Sequence, residues 1–164
     1  MIVVADTSPL NYLVLIGEAD LLHRLYGRVL IPQAVLSELQ DPETPLAVVE
    51  WIGRPPAWLE VRHVTARPEE SGEELDRGER EAIALAEEYK PDVLLLMDED
   101  AGRLEARRRV IPTTGTLGVL DDAAARGLVD LRAAVERLRG TNFRAVGSLL
   151  EWLLGRDRQR SKDK

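Results

Sequence analysis

The sequence predicts an α/β fold, a three-layer α/β/α sandwich around a central parallel sheet, and three observations carry that prediction. Short runs with a strand pattern recur along the chain as "IVVAD", "RVLIP", "LEVRHV", "DVLLLMD" and "RVIPTT". Helical segments separate them, and strands joined through helices pair in parallel by right-handed crossovers. "DVLLLMD" is apolar without alternation, the pattern of a strand covered on both faces.

Each element has a local reason. After "IVVAD", Ser8 is placed to cap a helix and Pro9 suits its first turn, while Gly17 divides "TSPLNYLVLIGEADLLHRLYG" into two helices. "RVLIP" follows as a second strand, and Pro32 opens the helix "QAVLSEL". "ETPLAVVEWIG" is a helix ended by Gly53 and the "RPP" breaker, and "LEVRHV" alternates as a strand. A polar loop spans 65–76. "GEREAIALAEEYK" is the strongest helix pattern, with Ala82, Ile83 and Ala86 on its core side, and Pro91 closes it. Helices "AGRLEARR" and "TLGVLDDAAARG" flank the brief strand "RVIPTT", and the amphipathic "LVDLRAAVERLRG" and "FRAVGSLLEWLLG" complete the chain. There is no internal repeat and no interdomain linker, so 1–155 is expected to be one domain and 156–164 a basic, disordered tail.

Composition narrows the function. With no cysteine among 164 residues, disulfides, zinc–thiolate sites and thiol nucleophiles are excluded. No apolar run approaches the roughly 20 residues of a membrane span, and "MIVVADTS" lacks the pattern of a signal peptide. The expectation is a soluble, cytoplasmic protein with no membrane association. A net charge of −7, from 22 basic and 29 acidic residues, repels a polyanion overall and counts against a simple nucleic-acid-coating protein. "GRLEARRR" and "GRDRQRSKDK" are locally basic, whereas "PEESGEELDRGEREAIALAEE" is acidic.

Acids stand where an open parallel sheet places its chemistry, outside the carboxyl ends of the strands. Asp6 follows "IVVA" and Asp98 follows "VLLLM"; Glu38 and Glu79 lie in helices near the same edge. Ile83 and Ala86, four and seven positions beyond Glu79, place its carboxylate on the buried stripe. Four carboxylates within about 5 Å would repel by roughly 3 kcal/mol per pair at an effective dielectric near 20. Protons, arginines or a divalent cation would relieve this, and an all-oxygen set without His or Cys suits Mg²⁺ or Mn²⁺. Singly, each acid has an ordinary use: Asp6 as a helix cap, Glu38 as a solvated helical residue, Glu79 at a helix dipole, Glu99 and Asp100 as caps of the helix near Ala101. The combination is more informative than any member.

The segments "VVADTSPLNYL", "IPQAVLSEL", "LDRGEREAIALA", "LLLMDEDAGRLEARR" and "TTGTLGVL", in that order over residues 2 to about 128, resemble the PIN-domain nuclease family. The resemblance is to its VapC-type toxins, and more narrowly to a prokaryotic PIN-like subgroup catalogued as a domain of unknown function. It implies a PIN-like sandwich and an acidic pocket in which Asp6, Glu38, Glu79 and Asp98 are the catalytic, metal-holding acids. Glu81 is a secondary candidate, since some related nucleases carry two acids at this helix start. Thr116, and with it Ser8, occupies the place of a hydroxyl that orients water. "DEDAGR" stands where many members have a basic residue, so either Glu99 or Asp100 is the fifth acid.

The implied function is a Mg²⁺- or Mn²⁺-dependent endoribonuclease that hydrolyses RNA phosphodiester bonds through a water activated by the ion. Arg103, Arg107, Arg108 and Arg109 would hold the RNA backbone. The expected partners are the RNA substrate, a cognate antitoxin if the chain is a toxin, and a second copy of the chain. The alternative from another class is a catalytically weak PIN-like protein that binds RNA or protein as a regulator. His23 and His63 read as structural, and Trp51, Trp58 and Trp152 as packing residues, with base stacking conceivable at Trp58.

Overall fold

In a computed structural model, which describes residues 1–65 and 74–163, five strands form one parallel sheet in the order β3-β2-β1-β4-β5. Along the chain run β1 (Ile2–Ala5), α1 (Thr7–Leu15), α2 (Asp20–Tyr26), β2 (Val29–Pro32), α3 (Gln33–Leu39), α4 (Leu46–Gly53) and β3 (Leu59–Arg62). Then come α5 (Arg77–Glu87), β4 (Val93–Leu96), α6 (Asp100–Arg108), β5 (Thr113–Thr114), α7 (Thr116–Ala125), α8 (Leu131–Arg139) and α9 (Gly147–Lys162). The predicted α/β/α sandwich is the observed architecture. Most of the polar loop expected over 65–76 lies outside the described residues.

Strand alternation divides the core into two layers. Val3 and Ala5 of β1 and Val29 and Ile31 of β2 face one layer, built by α1, α2, α4, α7 and α8 with Val35, Leu39 and Leu153. Val4, Leu30, Val93 and Leu95 face the other, where Ala82, Ile83 and Ala86 of α5 pack with Ala106 of α6. Successive side chains on a strand point to opposite faces, so each central strand needs apolar residues at every position. The segment "YLVLIGEADLLHRLY" supplies core here, since Leu13, Ile16, Leu21 and Leu22 are all buried. Among the described residues no helix is long and apolar enough to cross a membrane.

Central β1 lies between β2 and β4, paired with both in parallel. The chain moves outward through β2 and β3 and then crosses to β4, so the strand order reverses between β1 and β4. A crevice opens outside the carboxyl ends at such a reversal. Asp6 immediately follows β1 and Asp98 stands two residues past β4, and the Asp6 backbone N–H donates to the Leu96 carbonyl at 2.9 Å.

Two boundaries depart from expectation. The helix predicted from Phe143 begins at Gly147, and the tail expected to be disordered from 156 continues α9 to Lys162. Arg160 anchors that extension, donating to Asp121 of α7 at 2.9 Å and to Asp157 one turn back at 3.1 Å. Asp121 is buried, so its charge needs cationic partners, of which Arg160 is the nearer and Arg156 at 3.5 Å the second. Arg160→Ala is expected to cost about 1–3 kcal/mol, the range for a charge-assisted bond to a largely buried acid. Urea denaturation reads it, and an unchanged midpoint would make the last two turns a dispensable appendage.

Candidate active site

The reversal point holds a pocket of about 260 Å³ bounded by Asp6, Thr7, Ser8, Asn11, Tyr12, Glu38, Asp76, Glu79 and Glu99. Three of the four principal acids thus meet there. Asp6 occupies the N-cap position of α1, yet makes no side-chain cap hydrogen bond. Its Oδ1 is buried without any hydrogen-bond partner, and so is Oε2 of Glu79. Plain helix capping therefore does not account for Asp6. Glu79 is 6% exposed, as its place on the Ile83 and Ala86 stripe requires.

Glu38 is half-buried and held from two sides. The Thr7 hydroxyl donates to its Oε2, and the Gly78 backbone N–H donates to its Oε1 at 3.2 Å. A Cβ at Gly78 would lie 2.5–2.8 Å from the Glu38 carboxylate, so only glycine permits this approach.

Asp98 stands beside this pocket, on the wall of an adjoining cleft of about 800 Å³. Its Oδ1 accepts from the Thr116 backbone N–H at 2.7 Å, and its Oδ2 accepts from the Thr116 hydroxyl at 2.7 Å and the Ser8 hydroxyl at 3.0 Å. At Gly115 an added Cβ would fall 2.7 Å from Asp98 Oδ1, a second close approach only glycine allows. Ser8, Tyr12 and Glu99 border both cavities and join them into one continuous surface.

The electrostatics follow from this crowding. Burial, first, pushes the Asp6 carboxyl up to about 7; the Thr7 backbone amide opposes the shift, and the charges of Asp76, Glu38 and Asp98 add to it. Burial also raises Glu79, to about 8, helped by a hydrogen bond with Asp76 and by the charges of Asp76 and Asp6. Glu38 is raised by burial against the Thr7 hydrogen bond, with Asp76 adding repulsion. At these values Asp6 and Glu79 hold protons near neutrality unless a cation takes their place.

The secondary candidates separate. Glu99 lines both cavities and Asp100 only the larger cleft. Glu81 lies two positions, and so about 200°, around α5 from Glu79. Its carboxylate accepts from the Ala34 backbone N–H at 3.1 Å and from Arg77 at 3.0 Å, which ties it to the start of α3 outside both cavities. Of the arginines on α6, Arg103 lines the cleft and donates to the Met97 carbonyl at 3.1 Å. Arg107 and Arg108 do not line it, because α6 starts at the sheet rim and runs away from it by about 1.5 Å per residue. Arg108 pairs with Glu105 at 3.5 Å, and Arg109 with Glu105 at 3.0 Å. His23 contacts the Gly27 carbonyl at 2.7 Å through Nδ1 and stacks on Trp58, which also touches Trp51, so these rings pack against one another.

Asp76 was not among the sequence candidates. It is the N-cap of α5, its Oδ1 accepting from the Glu79 backbone N–H at 2.8 Å. The signal was present in "DRGE", an N-cap acid followed three residues later by Glu. Arg144 and Arg156, in the cleft wall, were also missed; their position depends on how α9 packs and has no local signature.

An open parallel sheet with buried carboxylates gathered at its strand reversal defines the class as an α/β fold with an acidic site in the crevice outside its strand ends. A PIN-domain family model matches residues 2–157, and the chain belongs to that family. PIN domains are in general nucleases that work with divalent metals. Neither a curated protein nor a solved structure gives a significant match.

Proposed function

We propose that the chain is a divalent-metal-dependent endoribonuclease in which Asp6, Glu38, Glu79 and Asp98 are the catalytic carboxylates and hold Mg²⁺ or Mn²⁺. One observation carries this reading: Asp6 Oδ1 and Glu79 Oε2 are buried and lack hydrogen-bond partners, in two residues that line a pocket rich in further acids at the strand reversal. Unsatisfied buried oxygens are costly in a folded protein, and a hard cation satisfies several together. The donor set, all oxygen, fits Mg²⁺ or Mn²⁺ in chemistry. As the side chains stand, no group of three or more acids or histidines among the described residues is spaced to hold an ion. Binding therefore calls for side-chain rotation.

A bound ion would supply an activated water and neutralise charge developing on the phosphoryl group. The chain itself orients and holds. Thr116 and Ser8 fix Asp98, Thr7 and Gly78 fix Glu38, and Asp76 fixes the start of α5 beneath Glu79. Protons carried by Asp6 and Glu79 near neutrality would leave as a cation enters, so apparent metal affinity should rise with pH.

The physiological reading is the toxin of a toxin–antitoxin pair, acting in the cytoplasm as a homodimer neutralised by a small cognate antitoxin. A second reading, a catalytically weak RNA- or protein-binding regulator, is favoured by the absence of a pre-gathered ligand set. One experiment separates them. Wild-type protein should cleave single-stranded RNA with Mn²⁺ and stop in EDTA, and Asp98→Asn should lower the rate at least a hundredfold, the scale of losing one preorganised charge. Equal rates for wild type and Asp98→Asn would end the nuclease reading. Calorimetric Mn²⁺ binding that vanishes in Asp98→Ala supports it independently of turnover.

A further inference from the structure

We infer that the C-terminal segment Asn142–Arg156 forms a subsite that holds unpaired RNA bases beside the carboxylate pocket, with Trp152 as the stacking platform and Arg144 and Arg156 as phosphate contacts. The inference rests on the nuclease reading for its substrate but on different residues for its binding.

The segment is one wall of the larger cleft, which also contains Asp98 and Arg103 and adjoins the carboxylate pocket through Ser8, Tyr12 and Glu99. Along it Val146, Leu149 and Trp152 recur every three residues and line that cleft, 68, 43 and 56% exposed. A helix that needed this stripe only for packing would have buried it. Trp152 stays more than half open although the Arg156 guanidinium lies 4.8 Å from its ring centroid. Tyr12 and Phe143 meet edge to face at 5.0 Å in the same wall, and the Tyr12 hydroxyl donates to Asn142 Oδ1 at 2.9 Å, which pins the segment to α1. The platform is thus fixed relative to Ser8, one turn earlier on α1.

Charge favours a nucleic acid over an apolar protein helix. The cleft lining is mixed, with Asp98, Glu99, Asp100 and Asp121 beside Arg103, Arg144 and Arg156, but beside α9 the one lining acid, Asp121, is already shared by Arg156 at 3.5 Å and Arg160 at 2.9 Å. Arg144 is exposed and has no ion-pair partner among the described residues. An apolar occupant would bury the Arg144 guanidinium without compensation, whereas a phosphate accepts bidentate bonds from it. Aromatic faces beside arginines are how single strands are held without sequence preference. A duplex keeps its base faces stacked and out of reach, so the subsite selects unpaired RNA.

The test measures fluorescence anisotropy of a labelled oligouridylate and of the same length in a duplex, in EDTA, where metal-dependent cleavage is silent. Trp152→Ala should bind the single strand about tenfold or more weakly, within the range of one lost base stack, with an unchanged melting temperature and with Trp152→Phe retaining most of the affinity. Arg144→Gln should reduce the salt slope of binding by about one. These losses support the subsite even if the wild-type protein cleaves nothing, in which case only the nuclease reading falls. Wild-type affinity in Trp152→Ala, or duplex bound as tightly as single strand, overturns it. So does a dimer that Trp152→Ala converts to monomer, which would assign the stripe to a second copy of the chain.

Discussion

Asp6→Asn should stabilise the metal-free protein at pH 8 and at the same time lower metal-dependent cleavage by about a thousandfold, the kinetic equivalent of the several kcal/mol a Lewis acid contributes. The two effects share one cause. The folded-state pKa of Asp6 is raised from 3.8 to about 7, so between those values the folded chain binds more protons than the unfolded one. Stability from this group is full below about pH 4 and is lost as pH rises through 7. At pH 8 the folded chain confines a charge that the unfolded chain hydrates freely, a deficit on the order of a few kcal/mol at 1.36 kcal/mol per pKa unit. Asn carries no charge, and its amide can donate to the neighbouring carboxylates. Glu79, raised to about 8 for similar reasons, contributes in the same direction, so the substitution should flatten the pH slope without abolishing it. Thermal unfolding in EDTA from pH 5 to pH 8 measures this. Mn²⁺ should restore wild-type stability at pH 8 more than that of Asp6→Asn, since binding to the folded state alone raises stability. Parallel pH curves for the two proteins would show that Asp6 is not a confined charge.

How much of this was legible in the sequence depended on the range of the interaction. The strands could be read because "VVA" and "VLLL" must be apolar at every position when both faces are covered, a demand local to each strand. Asp6 and Asp98 could be read because an acid directly after such a run stands at the rim. Glu79 was placed by its spacing to Ile83 and Ala86. Glu81 has the same side chain two residues on, but its partner is the Ala34 amide, 47 positions away, and no local period reveals that. Arg160 and Asp121 are 39 positions apart, so a run reading as a charged tail became the last turns of α9. Arg107 and Arg108 looked suited to a backbone because they cluster, yet helix geometry takes them from the rim that Arg103 still reaches. The cleft wall of Arg144, Trp152 and Arg156 exists only once α9 is docked on α7.

Gly78→Ala separates the stability of α5 from the function of the site. Gly78 is the second residue of α5 and its φ is not positive, so alanine fits the backbone and should raise helix stability by up to about 1 kcal/mol. The three atoms nearest the added Cβ all belong to the end of the Glu38 side chain, at 2.5–2.8 Å. That carboxylate can move aside, so the fold is preserved, but it leaves the Gly78 N–H and its place against Thr7. Displacing one carboxylate of a metal-holding set, while leaving its charge present, should weaken Mn²⁺ binding and cleavage about 10- to 100-fold, the scale for disturbed ligand orientation. The expected protein is therefore equal or greater in melting temperature and poorer in Mn²⁺ affinity by calorimetry. A destabilised but fully active Gly78→Ala would place Glu38 in the packing of α3 against α5 and remove it from the candidate site.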